Sequence, residues 1–101
     1  MMKQIINNRK YDTGTAEFIS ETTAGSSIHD FHYIEESLYR KKTGEFFTAG
    51  EGGAATKYSV DTGNGCVGGH RIIPLTEQDA RTWIEKHEND IYEDVFGPVE
   101  E

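Results

Sequence analysis

Two imidazoles and a carboxylate fall within the four residues His29-Asp30-Phe31-His32. That grouping can begin a metal site. Zinc takes three or four protein ligands, however, so His70, Cys66 or His87 would have to join it. Polar loop residues beside a sheet edge are the plainer expectation. Cys66 and His70, in the run Cys66-Val67-Gly68-Gly69-His70, are the residue types of a thiol nucleophile and its base. Such a nucleophile also needs a depressed pKa and an oxyanion site, which a sequence does not display. A small, semi-buried cysteine in a glycine-rich strand is expected instead. Gly50-Glu51-Gly52-Gly53 and Gly63-Asn64-Gly65 lack the Lys-Ser/Thr continuation of a phosphate-binding loop, and Glu51 would repel a phosphate. Both read as turns and bulges. Arg40, Lys41 and Lys42 sit among aromatics, as in single-strand nucleic-acid binders, but three charges on so acidic a chain favour a soluble hairpin turn. No pattern identifies a reaction. No catalytic residue, metal site or cofactor is expected.

Charge is more informative. The 101 residues hold eighteen acids and ten bases, for a net charge of −8. Residues 1–75 carry nine acids and eight bases, whereas residues 76–101 carry nine acids against only Arg81 and Lys86. Nearly all the excess lies in the last quarter. Such a surface repels nucleic acid and anionic membrane and attracts basic protein surfaces. The candidate partner-binding residues are therefore Glu77, Asp79, Glu85, Glu88, Asp90, Tyr92, Glu93 and Asp94, the carboxylates forming a phosphate-like array and Tyr92 an aromatic anchor.

Elements must hold these acids in place. The run from Ser37 to Gly53 reads as a hairpin, with Leu38 and Tyr39 on one arm, Phe46 and Phe47 on the other, and Gly44 in the turn. Glu35 and Glu36 break the alternation, so this first arm is expected at an edge or bulged near the acids. A small hairpin is expected over Lys3 to Tyr11 around Asn7-Asn8, followed by a short helix over Thr15 to Thr22 capped by Asp12 or Thr13. Loop follows at Ala24-Gly25-Ser26-Ser27. Further strands are expected over Lys57 to Val60, with Tyr58 and Val60 on one face, and over His70 to Ile73, ending at Pro74. Thr76 reads as the N-cap of a helix, with Asp79 three residues on, Leu75 and Ala80 as a staple, and Trp83 and Ile84 facing the sheet. A second short helix carries Ile91, Tyr92, Val95 and Phe96 up to Gly97-Pro98.

The expected fold is thus α+β: an antiparallel sheet of three to four strands, a short N-terminal helix, and one or two C-terminal helices packed on it. A single domain spans residues 1–101, with the acidic helical region at 76–97 and a short tail at 98–101. One cysteine permits no internal disulfide, the N-terminal run lacks a signal-peptide core, and no stretch approaches the roughly 20 apolar residues of a membrane span. A cytoplasmic protein is expected.

Three stretches, Tyr11-Asp12-Thr13-Gly14-Thr15-Ala16, LYRKKTGEFF with GEGG, and IPLTEQDARTWIEKH ending in YEDVFGPVEE, together resemble small acidic accessory proteins of phages and conjugative elements of Gram-positive bacteria. That resemblance implies a mobile-element protein in a bacterial host. It also implies a stoichiometric anti-defence binder, of the anti-CRISPR or anti-restriction kind, whose partner is a nucleic-acid-processing complex with a basic surface. Two other readings remain: a structural or regulatory module that homodimerises through its sheet edge, and a small metal-dependent enzyme using His29, His32 and His70.

Overall fold

The computed structural model describes residues 2–25, 27 and 30–101. A four-stranded antiparallel sheet forms the middle layer, in the order β3 (Glu17–Ala24), β4 (Ile34–Arg40), β5 (Phe46–Gly52) and β8 (Gly69–Leu75). A hairpin of β1 (Lys3–Ile6) and β2 (Arg9–Asp12) covers one face. The other face carries α1 (Glu77–His87), a 3-10 turn at Asn89–Ile91, and α2 (Tyr92–Phe96). β6 (Val60–Asp61) and β7 (Cys66–Val67) form a minor ribbon.

Alternation along the central hairpin sends its residues into two cores. Leu38 and Phe46 meet Ala80, Trp83 and Ile84 on the helix side. Tyr39 and Phe47 turn to the other side, where their rings stack at 5.3 Å and Phe47 meets Tyr11 edge-on at 5.5 Å. The turns follow from residue type. Asn7 and Asn8 take positive φ of 51° and 66°, and Gly44 takes 98°, a region that asparagine and glycine tolerate. Thr76 caps α1 by accepting the Asp79 N–H at 3.0 Å.

The expected N-terminal helix does not form. Asp12 does organise a turn, accepting the Gly14 N–H on its side chain and the Ala16 N–H on its carbonyl. Beyond it, Phe18, Ile19, Thr22 and Thr23 favour extended backbone, and the strand they build pairs with β4. Tertiary pairing overrides a weak helical stripe. β4 is therefore interior, not an edge, and the bulge lies in β3 between Phe18 and Ser20 rather than beside Glu35 and Glu36. Its extra residue, Ile19, packs against the helix-side core.

The region 57–60 also departs from expectation. Tyr58 is fully buried outside any strand, while Val60 is exposed. The last sheet strand runs through Pro74 to Leu75, because β8 lies at an edge where a missing N–H is tolerated. Gly50 and Gly52 are strand residues of β5 rather than turn residues. A Cβ on Gly50 would stand 2.5 Å from the Glu35 carbonyl oxygen and 2.8 Å from the Tyr58 ring.

One polar cluster ties these parts together. The Glu36 side chain, on the helix face of β4, is buried, yet its carboxylate accepts from Trp83 Nε1 on α1, from the Tyr58 hydroxyl, and from Lys57 Nζ, each at 2.8 Å. The Tyr58 hydroxyl also lies 3.0 Å from Thr48 Oγ1 on β5. Burial pushes the Glu36 carboxyl upward, but hydrogen bonds from Lys57, Tyr58 and Trp83 outweigh it and hold the group below its ordinary value. Burial, with Glu36 alongside, pushes the Tyr58 phenol far above its usual range, so it remains a donor.

A carboxyl depressed by folding stabilises the fold fully above its unfolded pKa of about 4.3, and that contribution is lost as pH falls through the lower folded value. Glu36→Gln should thus cost about 1–3 kcal/mol in urea unfolding at neutral pH. The gap to the parent should begin to narrow below the unfolded pKa of about 4.3 and close as pH falls through the lower folded value. A gap that does not change with pH would show that ionised Glu36 is not the source. Gly50→Ala should lower stability by about 1–3 kcal/mol through overpacking, measured the same way.

Candidate acidic binding face

α1 begins at its Thr76 cap and ends where the Glu88 N–H reaches back to the Ile84 carbonyl. Its buried stripe of Ala80, Trp83 and Ile84 faces the sheet. That orientation turns Glu77, Asp79 and Glu85 outward, all exposed. The 3-10 turn and α2 then double back along α1. Arg81 fastens them: its guanidinium donates to the Tyr92 hydroxyl and to Glu77 Oε2, both at 3.0 Å, and lies 4.4 Å over the Phe96 ring. Tyr92 is consequently half-buried, with its ring 5.1 Å from Phe96.

Gly97, at a φ of 93°, reverses the chain, and the tail returns so that the Val99 N–H donates to Glu93 Oε2 at 2.9 Å. The result is a shallow concavity of about 290 Å³ lined by Glu85, Asn89, Asp90, Tyr92, Glu93, Val99 and Glu100. No lysine or arginine lines it.

Four of the eight residues singled out in the sequence therefore meet at one place: Glu85, Asp90, Tyr92 and Glu93. The other four do not line it. Glu77 is committed to Arg81 at the start of α1, and Asp79 lines a different groove there. Glu88 is half-buried at the end of α1, and Asp94 is exposed on α2. The structure adds Val99 and Glu100. Gly97-Pro98 marks the end of a helix in the sequence, but the direction of the returning tail depends on a φ value that residue order does not specify.

Four acids outside this face are paired with bases. Glu17 pairs with Arg40, Glu45 with Lys41 and Arg9, Glu36 with Lys57, and Glu77 with Arg81. Among the described residues, none of Glu85, Glu88, Asp90, Glu93, Asp94 or Glu100 has a lysine or arginine within ion-pair distance. The basic hairpin cluster is largely consumed in the same way. Arg40 contacts Glu17 and the Val95 carbonyl, and Lys41 contacts Glu45 while lying 3.8 Å over the Tyr11 ring.

No family model, curated protein or solved structure matches the chain.

The chemistry-bearing residues elsewhere assemble less. Cys66 and His70 line one groove of about 510 Å³ with Asp30, Phe31 and Glu51, but Cys66 is exposed, not semi-buried. Its strand is only two residues long and pairs with β6 in a ribbon separate from the main sheet. His29 lies outside the described residues. Among those described, no group of three or more His, Cys, Asp or Glu residues is placed to hold a metal, and no helix is long and apolar enough to cross a membrane.

If Arg81 is the fastener of α2, Arg81→Ala should accelerate amide exchange over residues 89–96 and lower global stability by about 1–2 kcal/mol. Exchange rates in β4 and β5 should change only as far as global stability does. Unchanged exchange at 89–96 would remove that role.

Proposed function

We propose that the chain is a non-enzymatic binding module that engages a basic protein surface through its C-terminal acidic face. The observation that carries this reading is the gathering of unpaired acids around one concavity. Glu17, Glu36, Glu45 and Glu77 are neutralised by neighbouring bases, while among the described residues none of Glu85, Asp90, Glu93 and Glu100, which gather around one concavity, has a lysine or arginine within ion-pair distance. Unpaired like charges repel one another, and a basic partner relieves that repulsion while steering itself toward the face. The half-buried Tyr92 ring gives the concavity an aromatic wall.

In its finer form the proposal is that the carboxylates stand in for nucleic-acid phosphates on the basic channel of a defence complex, as an anti-CRISPR or anti-restriction inhibitor does. The setting, an accessory protein of a phage or conjugative element in a Gram-positive host, follows from the likeness of the three quoted stretches.

The test is capture of partners from a Gram-positive host lysate with the parent protein and with a variant carrying Glu85→Lys, Glu88→Lys, Asp90→Lys and Glu93→Lys. The parent should retain a basic protein whose affinity falls as salt rises, and the variant should lose it. The inhibitor form further requires that the captured protein's nucleic acid compete for it. Equal affinity and equal salt dependence in parent and variant would remove the acidic face from the binding.

A further inference from the structure

The two outer edges of the main sheet are treated differently. β8 is guarded: the Ile72 N–H donates to Gln4 Oε1 at 2.7 Å, Pro74 has no N–H to offer, and Arg71 reaches back to the Lys57 carbonyl. Such devices keep an edge from recruiting another strand. β3 has none of these three, its bulge lying before Ser20. It is eight residues long and contains no lysine, arginine or proline. Among the described residues, no backbone hydrogen bond is made along its side away from β4.

The bulge confines regular pairing to one part of this edge. From Ser20 to Ala24, β3 runs one-to-one against Leu38 to Ile34, and the irregularity lies before Ser20. In this segment Thr22 and Ala24 face the helix side, where they line a groove of about 650 Å³ with Ile34, Trp83 and Leu75. That groove reaches the edge of the sheet.

We propose that Ser20–Ala24 pairs antiparallel with the same segment of a second copy, about a two-fold axis at Thr22. The register is self-complementary. Thr22 faces Thr22 of the other copy, Glu21 faces Thr23, and Ser20 faces Ala24, so no acid opposes an acid. Opposed threonines and β-branched neighbours are favourable cross-strand pairs. The operation joins two four-stranded sheets into one sheet of eight strands, with both helix layers on one side, and brings the two grooves together at the axis. An extended basic peptide is the other occupant such an edge could take, but Glu21 is the one charge on Ser20–Ala24, which offers little to select it.

This inference is independent of the acidic face, and salt separates the two. Two copies that each carry −8 repel, so salt should strengthen the dimer, whereas it should weaken a complex with a basic partner. Sedimentation equilibrium over a wide concentration range should give twice the chain mass at high concentration and high salt. Thr22→Lys sets two ammonium groups at the axis and should return the monomer, with the fold verified by circular dichroism. Should that variant misfold, Thr22→Cys in a Cys66→Ser background supplies the second arm. Its opposed sulfurs should oxidise to a linked dimer readily, and Glu21→Cys in the same background should not. A monomer at all concentrations and salts overturns the proposal, as does a dimer that survives Thr22→Lys. So does a dimer in which the Thr22→Cys variant fails to cross-link, or a monomeric chain whose β3 amides are protected by a lysine-rich peptide.

Discussion

The fold depends on one ionised carboxylate that is almost wholly buried. Glu36 lies on an interior strand between Trp83 of the helix layer and Tyr58 of the 53–59 loop. A buried carboxylate is costly unless paired and fully hydrogen-bonded, and here three donors satisfy it. Hydrophobic contact alone would press α1 against Leu38 and Phe46 without fixing its position along the sheet. The bond from the Trp83 ring fixes that position. The same oxygens recruit Tyr58 over Gly50, so the glycine, the tyrosine and the carboxylate form one mutually dependent set.

Much of this layout was legible in the residues. The Asn7-Asn8 turn, the hairpin at Gly44, the Thr76 cap and the apolar stripe through Trp83 are local signals, and each folds as its chemistry dictates. What the sequence concealed was long-range. The stretch Glu17–Ala24 carries a faint helical stripe and equally a run of β-formers, and only pairing with β4 decides between them. Glu35-Glu36 looks like an interruption of a strand. It is instead an interior pair facing opposite ways, with Glu35 accepting from the Tyr33 hydroxyl and Glu36 serving the core. No local rule distinguishes a solvated glutamate from one with a tryptophan, a tyrosine and a lysine waiting for it. Of the candidate face, the acidic segregation was visible, and the returning tail with Glu100 was not.

The acids thereby separate into two kinds. Glu36 is consumed inside the fold, and several others are neutralised by neighbouring bases. Those around the 85–100 concavity are held by short helices fastened through Arg81, and among the described residues none of them forms an ion pair with a lysine or arginine. Concentrating unpaired charge weakens the compact state by self-repulsion, a cost that the proposed basic partner would turn into attraction. The sheet, with Glu36 as its tie to α1, supplies the rigid base from which this face projects.

The most direct measurement is a titration of the isotope-labelled protein with a short lysine-rich peptide, followed by amide and carboxyl chemical shifts. Perturbations should concentrate at Glu85, Asp90, Tyr92, Glu93 and the returning tail at 99–100. Glu36 and the ion-paired Glu17, Glu45 and Glu77 should remain nearly unmoved. Shifts spread evenly over all exposed acids, or centred on the sheet, would contradict it.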